Sequence, residues 1–569
     1  MSNLRPEHPN PQFQRANWLN LNGEWDFIYD NENSGEAKGY FKSSYPFDKK
    51  INVPFCPESK LSGVGNVDFI RGIWYRRIVD IPERFNDKRI LLHFGACDYI
   101  TKVYIDGEFV GTHKGGYSSF FFDITRFIKK KSITITVYAE DDTRNPMQSK
   151  GKQSDIFYSH GCHYTRTTGI WQTVWLEATE KEYIESVKYF PNAENGSLDI
   201  QAVVVGCGQI EAVAMFDNKV MGVDVSKTDG GTVCLHLDLK EKYLWNVGEG
   251  NLYDLELKFA DDTVKSYFGL RSINFDGMKF LLNGKSVFQR LVLDQGFYPD
   301  GIYTAPTESD LIKDIQLSID AGFNGARLHE KIFEPRFLYH CDRMGYLVWG
   351  EYPNWGLDHS RPEAIFTILP EWLDELKRDF NHPSIIGWCP FNETWNYCGR
   401  KQYDDVLSMI YDCTKAFDST RPCIDTSGNF HVKTDIFDVH DYEQNVSMFT
   451  NNYNKLMETG ELYDRFNDIQ HYNGEPTFVS EYGGIKWTLS NVDNSWGYGD
   501  TPKSEKEFIE RYKGLTEALL FNDKMFGFCY TQLYDIEQEQ NGLYCYDRRP
   551  KFDMEIFRKI NSQKAAIED

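Results

Sequence analysis

The chain has 569 residues, 41% of them hydrophobic and 15% aromatic, which is too long for a single hydrophobic core and predicts two to four domains. With 85 acidic against 62 basic residues the formal charge is −23, a field that repels phosphate backbones and argues against nucleic acid as the main partner. No apolar run reaches the roughly 18 residues of a membrane span, and Met1-Ser2-Asn3-Leu4-Arg5-Pro6 has no apolar secretory segment, so a cytoplasmic protein without a membrane partner is expected.

Up to about residue 180 the chain reads as short strands with turn punctuation. Trp25-Asp26-Phe27-Ile28-Tyr29, Lys102-Val103-Tyr104-Ile105, Ile133-Thr134-Ile135-Thr136-Val137 and Thr173-Val174-Trp175-Leu176 are β-rich, and Asp106-Gly107 is a hairpin signal. Helical periodicity is nearly absent, which predicts a β-sandwich over residues 1–180. A second β-rich stretch, 181–271, contains Leu198 to Val205 and has the size of an immunoglobulin-like sandwich.

After Ser272 strand and helix patterns alternate, the signature of a parallel α/β architecture over 272–569. Val287 to Leu293 is a strand. A helix follows, opened by Thr307 with Asp310 three residues on and striped by Leu311, Ile315 and Ile319. Further strands are expected at Phe323–His329, Tyr346–Glu351, Ile385–Glu393, Cys423–Thr426, Ile436–His440, Thr477–Glu481 and Phe526–Gln532. Helices are expected around His340–Arg343 and over Glu371–Phe380, Tyr403–Phe417 and Lys506–Leu520. Eight strands in about 300 residues match a (β/α)8 barrel.

Strand after strand ends in a polar residue: Asp294, His329, Glu351, Glu393, His440, Glu481 and Gln532. In such barrels the active site is built at the C-terminal strand ends. Two carboxylates on one rim, Glu393 and Glu481, can flank a glycosidic bond, one as acid and one as nucleophile. The abundant aromatics suit a sugar, whose C–H faces stack on rings. The twelve cysteines are scattered with no Cys-x-x-Cys pair, which favours reduced thiols and argues against a zinc cluster. Asn-x-Ser/Thr sequons occur at Asn195, Asn392 and Asn445, and without an export signal they read as chance matches.

These residues resemble glycoside hydrolase family 2, the family of β-galactosidases, β-glucuronidases and β-mannosidases. Leu21-Asn22-Gly23-Glu24-Trp25-Asp26-Phe27, Trp74-Tyr75-Arg76-Arg77 and Thr168-Gly169-Ile170-Trp171-Gln172 are similar to its N-terminal jelly roll. Phe268-Gly269-Leu270-Arg271 resembles the hinge into its barrel, and Asn392-Glu393 and Glu481-Tyr482-Gly483 resemble its acid/base and nucleophile motifs. The resemblance implies a jelly roll, an immunoglobulin-like sandwich and a (β/α)8 barrel; the family's extra C-terminal domains are not expected, since the chain ends soon after the eighth strand. It also implies a retaining reaction with carboxyls about 5–5.5 Å apart.

In that scheme Glu481 is the nucleophile and Glu393 the acid/base, holding its proton through burial and neighbouring negative charge. By resemblance Asn392 bonds the sugar 2-hydroxyl, Tyr442 touches the nucleophile, and Arg327 and His329 line the pocket floor. Asp294 and Glu351 are candidate hydroxyl ligands, His440 and Gln532 complete the rim, and Trp355 and Trp496 are candidates for stacking or for packing. The family's glucuronidases hold a carboxylate with an Asn-x-Lys motif. The matching stretch here, Glu537 to Leu543, has two glutamates and no lysine, and Lys486 is a weak substitute. A neutral β-galactoside is therefore expected first, with β-glucuronide, β-mannoside, α-L-arabinopyranoside and β-galactofuranoside as alternatives. A transglycosylase and a non-catalytic carbohydrate-binding protein are the other readings. Neither a metal nor another cofactor is expected. Self-association is common in the family but is not written in the pattern. Ser149-Lys150-Gly151-Lys152-Gln153 is polar and loop-like; it could reach the barrel, but it reads first as a solvated surface loop.

Overall fold

A computed structural model describes residues 4–397, 400–489 and 493–568. Strands between Trp18 and Thr179 form a four-stranded and a six-stranded antiparallel sheet. Their inner faces share one core, in which Ile133, Ile135, Val137 and Ala139 from one strand meet Leu92, Phe94 and Leu176 from the opposing sheet. That spacing is the period of two that a half-buried strand requires. The Asp106-Gly107 turn closes a hairpin with both residues at positive φ, 50° and 86°, the handedness that matches strand twist.

From Tyr183 to Phe268 a three-stranded and a four-stranded antiparallel sheet enclose a separate core of Ile200, Ala202, Leu235, Leu255 and Leu257. A small sheet between Ile273 and Ser286 follows, and its Phe280 and Leu282 pack with Trp349 and Phe478 of the third unit.

The third unit alternates strand and helix. We number its strands β1 (Gln289–Asp294), β2 (Gly325–Leu328), β3 (Leu347–Glu351), β4 (Ile385–Cys389), β5 (Phe437–Asp441), β6 (Thr477–Gly483) and β7 (Gly527–Thr531). They form one parallel sheet in the order β4-β3-β2-β1-β7-β6-β5. The segment expected as a regular strand at Cys423–Thr426 lies beside β4 but pairs only through single bridges, Trp388 with Cys423 and Asn392 with Ser427. Pro422 has no N–H to donate. The Asp425 carboxylate takes the backbone N–H groups of Val432 and Lys433 at 2.6 and 3.0 Å, which folds the segment onto its own loop. The barrel is thus seven regular strands with an irregular staple in the remaining position.

The helix Glu308–Asp320 starts as its sequence predicts, with the Asp310 carboxylate accepting the Thr307 N–H at 2.9 Å. The helix Val446–Thr459 was not foreseen, because its polar surface leaves only Phe449, Tyr453 and Leu456 buried. Asn445, one of the sequon matches, is its N-cap and accepts the Met448 N–H at 3.1 Å. The terminal helix Met554–Asn561 was also missed. Among the described residues no helix is long and apolar enough to cross a membrane.

Two glycines let large rings fill the barrel. A Cβ on Gly387 would stand 2.2 Å from the Trp349 ring, and one on Gly350 would stand 2.7 Å from the Trp388 ring. Neither neighbour can give way in a close-packed interior.

Candidate active site

The C-terminal ends of the strands carry one connected network, and Arg327 on β2 is its hub. Its Nε donates to Glu351 Oε1 at 2.6 Å, Nη1 to Glu481 Oε1 at 3.1 Å and to the Ser480 carbonyl at 2.9 Å, and Nη2 to Asn392 Oδ1 at 3.0 Å. A planar fork of five donors can join three strand ends in this way, and an ammonium cannot. Burial works to lower the Arg327 pKa, but the charges of Glu351 and Glu481 outweigh it and hold the guanidinium well above its ordinary range. His329 places Nδ1 3.1 Å from Glu351 Oε2. Burial, reinforced by the charge of Lys152, pushes His329 well below its usual pKa, so it is a neutral ring.

Glu481, inside β6, accepts from Arg327 and, at 2.5 Å, from the Tyr442 hydroxyl. The Tyr442 ring lies 3.5 Å from Tyr498, tilted by 5°, so the phenol has a stacked backing. Glu393 follows β4 in a left-handed conformation, φ 45°, which costs a non-glycine residue about 1–3 kcal/mol and persists only where its surroundings enforce it. Those surroundings are visible. The Glu393 N–H donates to the Ser427 carbonyl at 2.9 Å, and the Asn392 N–H donates to Asn354 Oδ1 at 2.7 Å. The Asn392 carbonyl accepts from the Trp355 indole at 3.1 Å. Asn392 Nδ2 is buried and has no partner among the described residues.

His440 on β5 stands between the two acids. Its Nδ1 is 2.8 Å from Glu393 Oε1 and 3.5 Å from Glu481 Oε2. Its Nε2 is 3.1 Å from Ser427 Oγ, which in turn donates to Asp438 at 2.6 Å. Gly428, φ 85°, backs the ring so closely that a Cβ there would lie 2.4 Å from His440 Nδ1. One oxygen from each glutamate and one His440 nitrogen lie within 4.8 Å of one another. The same spacing would let these three groups hold a metal ion.

This arrangement corrects one expectation. Burial does work to raise the Glu393 carboxyl, but the hydrogen bond and charge of His440, with Lys152 and Arg327 behind it, hold it down at about 2. Burial works to lower His440, and the charge of Glu481 with the bond to Glu393 raises it above its ordinary value. Without substrate, the proton shared by this pair therefore resides on His440.

The remaining predicted residues are placed as follows. Asp294 is buried and accepts from the Gly296 N–H at 2.9 Å and the Tyr534 hydroxyl, and burial pushes it up to about 6. Gln532 accepts from Gln295 at 2.6 Å and donates to Asn541 at 2.8 Å. Asn541 donates to Glu539 at 2.9 Å, which the Tyr164 hydroxyl also bonds. The Trp496 indole donates to the Gly161 carbonyl at 2.5 Å. Lys486 donates to the Ser495 carbonyl at 2.6 Å.

The loop read as solvated is not. Residues 149–153 are all buried. The Lys150 N–H donates to the Trp355 carbonyl at 2.8 Å, and the Tyr352 hydroxyl donates to Ser149 at 3.0 Å. The Lys152 ammonium lies 3.6 Å from the centre of the Trp355 ring. A polar stretch without periodicity carries no local sign of burial, because its partners belong to another domain. Lys152 was passed over for that reason, and Ser427, Tyr498 and Glu539 escaped because they lie on irregular segments that pair only through isolated bridges.

Two family models match the chain. The model described as the sugar binding domain of glycosyl hydrolases family 2 covers residues 19–176, and that family's TIM barrel domain covers 275–565. A β-galactosidase of Thermoanaerobacter pseudethanolicus is 25% identical over 84% of this chain and 62% of its own length. A β-glucuronidase of Streptococcus agalactiae is 23% identical over 95% of this chain and 96% of its own. The chain thus spans less than two thirds of the first relative's length and nearly all of the second's. Among solved structures, a β-glucuronidase from an uncultured Clostridium sp. superposes with a TM-score of 0.78 at 18% identity, covering 98% of this chain and 99% of that one. At that identity the likeness carries the fold alone.

Proposed function

This chain belongs to glycosyl hydrolases family 2, and from that premise we propose that it is a glycosidase, an exo-acting retaining enzyme working by double displacement. One observation carries the reading: Glu393 and Glu481 converge to within 4.8 Å at their nearest ligand oxygens. That suits the roughly 5–5.5 Å carboxyl spacing of retaining glycosidases rather than the ~6.5–9.5 Å that leaves room for water in inverting ones.

Glu481, oriented by Arg327 and Tyr442, attacks the anomeric carbon as the bond to the leaving oxygen breaks. Glu393 passes a proton to that oxygen, drawing on the proton held by His440. In the second step Glu393 takes a proton from water, the water oxygen bonds to the anomeric carbon, and the Glu481 ester bond breaks. The free Asn392 Nδ2 supplies a donor for the sugar 2-hydroxyl, an interaction that strengthens in the transition state.

We assign a neutral β-galactoside as the first substrate. The stretch from Glu537 to Leu543 offers a uronate no lysine and two glutamates, and Lys486 is already bonded to the Ser495 carbonyl. β-Glucuronide hydrolysis, the activity named for several relatives, is the second reading.

Nitrophenyl glycosides test this. Glu481→Ala should lower kcat by about four orders of magnitude or more. Glu393→Gln should fail mainly on substrates with poor leaving groups. Proton NMR of the first-formed sugar should show the anomer of the substrate, and the opposite anomer would end the retaining assignment. His440→Gln should move the alkaline limb of kcat/KM to lower pH, because the reacting proton then rests on a carboxyl rather than on an imidazole of raised pKa. An unmoved limb would remove His440 from the proton path.

A further inference from the structure

Lys152 belongs to the first sandwich, yet its ammonium sits beside the barrel's acids. The residue is 6% exposed. Its Nζ lies 3.6 Å from the centre of Trp355, the ring whose indole N–H holds the Asn392 carbonyl. Gly151, at φ 54°, brings the loop this deep, and a Cβ there would stand 2.4 Å from the Glu330 carbonyl.

A buried ammonium normally meets acceptors, since desolvating it unpaired is costly. Lys152 has one aromatic face and, among the described residues, neither a hydrogen bond nor an ion pair at its ammonium. It remains charged nonetheless. Burial works to lower its pKa, and the groups around it, with the carboxylates Glu393, Glu539 and Glu481 supplying the negative charge, outweigh burial and raise it. Its three N–H donors therefore lie in the field of carboxylates that they do not bond.

A group that satisfies both the ammonium and the acids around it both accepts and donates. A sugar hydroxyl accepts from an ammonium and donates onward to a carboxylate. A substrate carboxylate would also accept from Lys152, but it would lie against Glu539, whose oxygens are already turned to Tyr164 and Asn541. We propose that Lys152 is a substrate-contacting residue that recognises a hydroxyl group of the glycone, so that the sandwich domain helps to set which neutral sugar the barrel accepts. This rests on the glycosidase reading above.

The test is a double-mutant cycle between residue and substrate. The parent is the neutral nitrophenyl glycoside that the wild type hydrolyses fastest, compared with its 3-, 4- and 6-deoxy analogues. Lys152→Met keeps the stem and removes the donors, and it should lose roughly 10- to 100-fold in kcat/KM on the parent. One deoxy position should cost the wild type a similar factor and cost Lys152→Met nothing more. Should that variant misfold, Lys152→Gln carries the same comparison.

Deoxy penalties that are the same in wild type and variant at every position would overturn the proposal and leave Lys152 as a charge balance. A wild-type preference for a β-glucuronide that Lys152→Met loses would overturn the hydroxyl assignment. Turnover of the parent, abolished in Glu481→Ala, is measured first on the same preparation. Its absence sinks the glycosidase reading and this proposal together, whereas turnover with uncoupled penalties sinks this proposal alone.

Discussion

In the first sandwich the chain leaves the strand Ser132–Glu140 and does not enter another until Gly169. In the middle domain the strands Ser197–Val205 and Gly208–Phe216 are two residues apart, as are Gly208–Phe216 and Lys219–Thr228. Both domains bury alternate residues around a two-sheet core. The long connection of the first is packed with buried polar groups, including Gln148, Ser149, Lys150, Lys152, Gln153 and Arg166. These reach the barrel rim through Trp355, Trp496, Gln538 and Glu539. The middle domain meets the barrel away from that rim. Asn381 donates to the Val187 carbonyl at 3.0 Å, and the Trp245 indole donates to the Asp342 carbonyl at 2.7 Å. On the proposed reading the same sandwich physics serves once as part of a site and once as a spacer. The difference lies in the length and burial of one loop, since connecting segments positioned by a rigid scaffold are where sites are built.

A matched pair of glycines would sharpen this contrast most. Gly151→Ala places a Cβ 2.4 Å from the Glu330 carbonyl at φ 54°, so the loop must shift. A displacement near 1 Å at a catalytic wall costs about 10²-fold in kcat/KM. Steady-state kinetics and a thermal melt on one preparation would check that activity falls more than stability does.

Gly230→Ala in the middle domain meets the Gly206 carbonyl at 3.0 Å with φ 107°. It should cost roughly 1–3 kcal/mol of that domain's stability and leave kcat/KM unchanged. Equal kinetic damage from both substitutions would erase the distinction between site and spacer.

The smallest effect concerns pH. Burial raises Glu58, Asp141 and Glu371, at the first sandwich and its seam with the barrel, each to about 7. Their folded pKa values stand above the unfolded ones, so their contribution is fully present below about pH 4. It is lost as pH rises through 7. Melting temperature should therefore fall between pH 5 and 8, and Glu58→Gln should flatten that fall by about one or two degrees. Glu177 runs the other way. Burial works to raise it, but Arg15 and His93 outweigh burial and hold it at about 2, so its contribution is lost only as pH falls through that region. An unchanged slope in Glu58→Gln would remove Glu58 as a cause.

The barrel strands were legible because each apolar run ends in a polar residue, and a parallel strand buried on both faces has little choice of composition. The strand ends Glu351, Glu393, His440 and Glu481 were found by that rule and do meet in one network. The helix Val446–Thr459 escaped because three buried residues leave little period to read. The irregular Cys423–Thr426 segment escaped because Asp425 spends its carboxylate on the following loop. The state of Glu393 escaped because it depends on a histidine 47 residues away in sequence.

What the sequence by itself determined is the order of the units and the polar residues at the barrel's strand ends, Glu393 and Glu481 among them, since alternation and strand-end polarity are local properties of a chain. What only the tertiary structure decided is which charges face one another. His440 enters between the acids, and Lys152 crosses from another domain to stand over Trp355. Electrostatic energy depends on distance and burial in space, and neither is a function of position along the chain.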